Sequence, residues 1–186
     1  MTLRPLLALA LAASTLAAQD ASLQPGHLGW TLAGSAAFGG DDVVTVLFTD
    51  GTSQSITAGQ GLGFNVGGHY RLASAPIDLS ATLGLKYATT KATNANINLN
   101  RTVIELRADY LLNDRFWIGA GPVWHSSIKL NTAGLTPNVD FATATGLGLK
   151  FGWKFLALGY TNMKYKDEFG TTYDASHIGF SVIGKW

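Results

Sequence analysis

The chain has 186 residues, of which 47% are hydrophobic and only 13% are charged, with 22 glycines and no cysteine. The 13 basic and 12 acidic residues leave almost no net charge, which argues against a nucleic acid as partner. Without cysteine the fold cannot depend on disulfides, and the length suits a single domain.

The first residues have the pattern of a secretory signal peptide. Arg4 precedes a short apolar run over residues 6–13, and small residues suited to cleavage follow at Ala17 and Ala18. A membrane anchor is the alternative, but this run is much shorter than the roughly 20 apolar residues that span a bilayer. We therefore predict a signal peptide at 1–18 and one exported domain at 19–186.

From residue 28 onward the hydrophobicity alternates with a period of two, which predicts β-strands. Eight long strands are predicted, at residues 28–38, 54–72, 77–90, 97–112, 115–130, 139–153, 155–166 and 172–186. The first strand can also continue through 43–49. No later run of 18 apolar residues predicts a transmembrane helix.

The predicted connections alternate in length. Those at 73–76, 113–114 and 154 are tight turns, whereas 39–53, 91–96, 131–138 and 167–171 are longer and rich in glycine and polar residues. An even number of antiparallel strands with short turns at one end is typical of an outer-membrane barrel. The sequence thus predicts an all-β, eight-stranded antiparallel up-and-down transmembrane barrel with both termini at its periplasmic end. A soluble lipocalin-like barrel shows the same alternation and is the alternative.

Two features favour the membrane barrel. The polar face of the strands is rich in glycine and alanine, which suits a narrow interior, and aromatic residues collect near strand ends, as in membrane girdles. The predicted periplasmic girdle comprises Trp30, Tyr70, Tyr110, Phe116, Trp117, Trp153, Phe155 and Trp186. Aromatic residues nearer the other end are Phe38, Tyr87, Trp124, Phe141, Tyr165 and Tyr173.

The chain ends inside a strand in which Ile178, Phe180, Val182 and Trp186 share one face. In a closed barrel the last strand pairs with the first, so its backbone is satisfied. This ending resembles the C-terminal signal that the barrel-assembly machinery reads. With strand count, girdles and loop asymmetry, the chain resembles the small OmpA/OmpX/OmpW-type barrels. The resemblance implies the bacterial outer membrane, in contact with its lipids and lipopolysaccharide.

Many ionisable side chains are predicted to face the interior. Charges in a narrow lumen must pair or contact water, so a plugging salt-bridge network is expected. A narrow path for ions or small solutes is the alternative, and the OmpW resemblance implies hydrophobic solutes. The inward set is Arg71, Asp78, Lys86, Arg101, Glu105, Arg107, Asp109, Lys129, Lys150 and Lys185, with His69, His125 and His177.

A catalytic alternative depends on His125 and Ser127, whose spacing predicts that both face the lumen. The pair resembles the His-x-Ser of lipid A 3-O-deacylases, in which a carboxylate orients the histidine. Here the nearest following acid is Asp140, and Ile128 stands where that family has asparagine. A non-enzymatic structural or cell-surface role is the stronger expectation.

The first loop predicts a surface hairpin around a turn at Asp50 and Gly51. Its projecting edge would offer residues 39–53 to an extracellular ligand, as in adhesion. Asp41 and Asp42 are adjacent acids, which alone are a weak signal for a metal. We expect no metal, cofactor or nucleic acid, because no corresponding motif is present.

Overall fold

The structure is a computed structural model that describes residues 24–47, 51–92, 95–134 and 137–186, so the predicted signal peptide and Asp50 lie outside the described residues. None of the described segments forms a helix long and apolar enough to cross a membrane. The described strands are β1 Leu28–Phe38, β2 Asp42–Leu47, β3 Ser53–Thr57, β4 Gly61–Arg71, β5 Ile77–Ala92, β6 Ala95–Leu111, β7 Phe116–Asn131, β8 Val139–Phe141, β9 Ala144–Trp153, β10 Leu156–Asn162, β11 Lys164–Lys166, β12 Thr172–Asp174 and β13 His177–Lys185.

Eight of these strands form a closed barrel. Successive barrel strands β1, β4, β5, β6, β7, β9, β10 and β13 pair antiparallel in chain order, and β13 returns to pair with β1 from Thr31–Lys185 to Phe38–Ile178. The backbone bonds between Trp30 and Trp186 extend this closure to the last residue. The predicted eight-stranded antiparallel barrel is therefore confirmed.

Five short strands extend the barrel at its long-loop end. Strands β2 and β3 form a separate hairpin, β8 adds to β7, and β11 pairs with β12. The prediction of one strand at 54–72 is therefore wrong. This segment contains β3, a turn at 58–60 and β4. The predicted sixth, seventh and eighth strands break near residues 142–143, 163 and 175–176.

A glycine pair turns the chain from β1 into the hairpin. Gly39 and Gly40 have φ angles of 125° and 88°, a region that glycine occupies without the steric cost of a Cβ. A Cβ on Gly40 would lie 2.7 Å from both the Asp174 oxygen and the Gly59 nitrogen. The close approach of these three backbones lets the hairpin turn across the barrel mouth.

A β-bulge in β7 reverses which side chains face inward. Between the pairs Asn100–Lys129 and Thr102–Ser126, β7 has one residue more than β6, and Ser127 has a φ of 50°. An extra residue moves every later side chain to the other face. Lys129 accordingly lies outside, and its predicted inward orientation is wrong.

Candidate functional site

An apolar belt surrounds the barrel. Alternate residues of the barrel strands expose large apolar side chains, such as Leu62, Leu83, Leu106, Leu149 and Phe180, which are 43–69% exposed. A water-soluble protein does not expose a continuous apolar band, whereas the lipid-facing band of a membrane barrel is about 25 Å tall. The protein is a transmembrane β-barrel.

The polarity of the strands reverses above this belt, as β6 shows best. Ile104, Leu106 and Tyr110 face outward within the belt, while the outward residues nearer the long loops are Asn98 and Asn100. The inward face changes in the opposite sense, from charged residues to Ile97 and Leu99, which are buried. The belt thus ends near Thr102, and the strands continue beyond the membrane around an apolar core.

The predicted aromatic girdles are partly rearranged. At the short-turn end Trp30, Tyr70, Tyr110 and Trp153 are 40–70% exposed, and Phe116, Phe155 and Trp186 are partly exposed. Trp117 is buried in the interior instead, because it has the inward parity of β7. Phe38, Tyr87 and Trp124 lie on the outside at the other end of the belt. Phe141 and Tyr165 are buried in the apolar core, with Tyr173 packed partly against it.

A network of charged side chains crosses the lower interior, which is the half of the barrel nearer the short turns; the upper interior is the half nearer the long loops. The Arg107 guanidinium lies 2.6 Å from the Glu105 carboxylate and 2.5 Å from that of Asp109. Lys150 donates to both Glu105 oxygens at 2.7 and 2.9 Å, and Lys185 lies 3.1 Å from Asp109. Glu105 and Asp109 therefore each have two basic partners, which offsets the desolvation of both signs of charge.

The network extends towards the chain ends. Asp78 contacts His69 at 3.1 Å and Lys185 at 3.3 Å. Arg71 also faces this end, but two of its buried nitrogens have no hydrogen-bond partner among the described residues. The structure thus brings together most of the lower predicted network and leaves Arg71 beside it.

Trp117 closes the short-turn end of the interior. The Arg107 guanidinium lies 5.2 Å from the centroid of the Trp117 ring. The indole Nε1 of Trp117 donates to the Lys154 carbonyl at 3.2 Å. Gly152 makes room for the ring, because a Cβ there would overlap it. A buried aromatic ring against a cation excludes water from this end of the charge network.

The upper interior contains a second group of basic side chains. Lys86 donates to the Gly59 carbonyl at 2.7 Å and contacts His177 Nε2 at 3.0 Å. Arg101 donates to the carbonyls of Ala58 and Gln60. The turn at 58–60 therefore lies inside the barrel mouth, where its carbonyls satisfy buried cations.

An apolar core caps the interior above these cations. Strands of the barrel wall contribute Ile97, Leu99, Ile128 and Leu130, the β2–β3 hairpin adds Val46 and Ile56, and the 58–60 turn adds Ala58. Ile56 and Ala58 are completely buried. Sequence reasoning missed this cap, although the apolar residues at 97 and 99 have the same parity as Arg101 and signal the reversal.

The sequence predicts a projecting surface hairpin, and the structure anchors the base of the β2–β3 hairpin across the mouth. Asp41 and Asp174 exchange two hydrogen bonds of 2.7 Å, in which the Asp41 carboxylate and the Asp174 carbonyl accept. Asp42 accepts from the Ser55 hydroxyl at 3.1 Å. Hydrogen bonds from Ser176 lower the pKa of the exposed Asp174. Gly51, with a φ of 84°, is exposed at the hairpin tip.

The predicted catalytic pair is not assembled. His125 is buried in the lumen and contacts the Tyr165 hydroxyl, whereas Ser127 is exposed on the outer face at the bulge. Asp140 lies outside as well, 3.7 Å from Lys129. The expectation that His125 and Ser127 share the lumen is therefore wrong, because the bulge separates them. Within the described ranges, no three acidic or histidine side chains are grouped as metal ligands.

Comparisons with known proteins reveal only a distant likeness. No protein-family model matches the chain, and no curated protein matches it. Ail, the attachment invasion locus protein of Yersinia pestis, crystallised with the heparin analogue sucrose octasulfate, is 11% identical. The match covers 86% of this chain and 99% of that one, with a TM-score of 0.46. A second Ail structure has the same identity and coverage and a TM-score of 0.43. Such values identify neither a family nor a function.

Proposed function

We propose that the protein is an integral barrel of a bacterial outer membrane, with a structural or cell-surface interaction role and a closed lumen. The apolar belt suits contact with lipid, and the paired inward charges suit a narrow interior. Both described ends of the chain lie at the short-turn end, which is the periplasmic end of such barrels. The long loops and the apolar cap then face the cell exterior.

The proposal of a closed lumen rests on two obstructions. Paired charges around Arg107, together with Trp117, obstruct the periplasmic half. The 58–60 turn and the cap obstruct the extracellular half. A path for ions would need the charge pairs to separate and the hairpin to leave the mouth. Passage of hydrophobic solutes is disfavoured further, because the lower interior is lined by charges.

The extracellular end offers surfaces for a partner. Phe169 is 73% exposed in the turn between β11 and β12. Asp167 orders this turn by accepting from the backbone nitrogens of Phe169 at 3.0 Å and Thr171 at 2.7 Å. An exposed aromatic side chain on an ordered turn suits a binding contact. We extend the proposed ligand surface from residues 39–53 to include this turn.

A conductance measurement tests the closed lumen. We expect the refolded barrel to give no discrete current steps in a planar bilayer, because both halves of the interior are obstructed. Insertion is verified in the same preparation by the heat-dependent gel shift of folded barrels. A matched variant, Arg107→Ala with Lys86→Ala, removes one large side chain from each obstruction and should conduct more. Reproducible steps from the wild-type protein would contradict the closed lumen and favour transport.

A further inference from the structure

Positive charge exceeds negative charge inside the barrel. Among the described residues, the inward basic side chains are Arg71, Lys86, Arg101, Arg107, Lys150 and Lys185, while the inward carboxylates are Asp78, Glu105 and Asp109. These three carboxylates belong to the lower network, and the buried Asp167 lies in the turn between β11 and β12, where it accepts from backbone nitrogens. The upper interior therefore has cations without a matching anion.

In the described part of the upper interior, Lys86 and Arg101 are cations without an acidic partner. They are 6% and 2% exposed, and no carboxylate of the described segments forms an ion pair with either. Their hydrogen bonds go to peptide carbonyls and to His177. Carbonyl dipoles solvate a cation but do not neutralise it, and an unpaired buried charge is costly.

The neighbouring histidine does not supply the missing charge. His177 Nδ1 lies 2.9 Å from the Ala175 carbonyl and must donate to it. Its Nε2 then accepts from Lys86, which fixes a neutral imidazole. Lys86 uses two of its three N–H donors in these bonds and retains one for another acceptor.

A cavity of about 70 Å³ lies beside Lys86. Lys86, His125 and His177 line it, together with Asn65 and with the Lys150–Glu105 ion pair of the lower network. Much of the remaining lining consists of small residues, three of which offer hydroxyl donors. These small residues include Ser35, Gly63, Thr161, Gly179 and Ser181.

We propose that this cavity binds a small inorganic anion, which accepts a hydrogen bond from the Lys86 ammonium and is surrounded by the hydroxyls of Ser35, Thr161 and Ser181. The anion would offset the excess positive charge of the upper interior. The volume exceeds the roughly 10–15 Å³ that one water needs, so chloride fits with waters. The site lies between the two obstructions and requires no continuous path through the barrel.

The test uses the refolded full-length barrel in vesicles with sodium gluconate as the only salt, since gluconate is a much larger anion. We expect chloride, added at constant ionic strength, to raise the thermal unfolding midpoint in a saturable way, as a ligand of the folded state does. Sulfate serves as a second probe, and its response indicates whether the cavity accepts an oxyanion. A midpoint that responds to neither anion would overturn the proposal.

Two variants make the test specific. Lys86→Met should weaken the apparent chloride affinity at least tenfold and should be no less stable than wild type in gluconate, because it removes an unpaired buried charge. Lys129→Met removes an outward lysine and should leave the response unchanged. Equal responses in all three proteins would contradict the site.

A direct measurement covers the case in which Lys86→Met does not fold. Crystals of the wild-type protein soaked in bromide should show an anomalous peak in the cavity, within hydrogen-bond distance of Lys86 Nζ. No peak there, with bromide ordered elsewhere, would refute the proposal.

Discussion

Replacing Arg107 with alanine is expected to lower the free energy of unfolding by about 3–5 kcal/mol, the cost of breaking a buried ion pair by removing one partner. Arg107 contacts two carboxylates within 2.6 Å, and its guanidinium lies over Trp117. Its loss leaves Glu105 with Lys150 alone and Asp109 with Lys185 alone. Equilibrium denaturation of the barrel refolded into lipid vesicles measures the change.

The matched control is Lys129→Ala, which removes an ion pair on the outer surface. Lys129 and Asp140 lie 3.7 Å apart, and their side chains are 66% and 63% exposed. Exposed pairs contribute little, so a change below about 0.5 kcal/mol is expected. Comparable losses in the two variants would mean that the interior network is hydrated and does not hold the barrel together.

The second prediction of a large loss of stability concerns the outward face of β6. Leu106→Arg is expected to destabilise the barrel by about 2–4 kcal/mol, because Leu106 lies within the apolar belt and is 43% exposed. Asn100→Arg, three outward positions towards the long loops, should cost at most about 1 kcal/mol, since a charge near the interface remains hydrated. Both variants are compared with wild type by the same denaturation in vesicles.

This comparison locates the membrane edge. Both substitutions introduce arginine at an outward position of β6, so the new side chain and its orientation are matched while its depth in the membrane differs. If Asn100→Arg is as costly as Leu106→Arg, the belt extends beyond Thr102. If neither is costly, the outer face of β6 does not contact lipid.

The sequence predicted the barrel well because period-two alternation is a local signal. It placed β1, β5, β6 and β7 within about two residues, and it assigned Glu105, Arg107 and Asp109 to the interior where they lie. Those assignments need only the parity of an unbroken strand. The cross-strand partners of these charges depend on register, which alternation does not determine.

The failures have physical causes that alternation cannot express. One extra residue at Ser127 moved Lys129 outward and separated Ser127 from His125. Trp117 was assigned to a girdle from its residue type, although its parity points inward, where Gly152 leaves space for it. The cap was missed because apolar residues were taken to face lipid along the whole strand, whereas above the membrane they face the core.

The most direct test of the account is a nitroxide scan along β6, one residue at a time from 98 to 110. The chain has no cysteine, so each single cysteine variant carries one label. We predict high oxygen accessibility at Ile104, Leu106, Ala108 and Tyr110, high accessibility to a water-soluble relaxation agent at Asn98 and Asn100, and little of either at the intervening inward positions. High oxygen accessibility at Val103, Glu105 and Arg107 would instead mean that the charged face contacts lipid. That result would contradict a membrane barrel with a charged interior and an apolar cap.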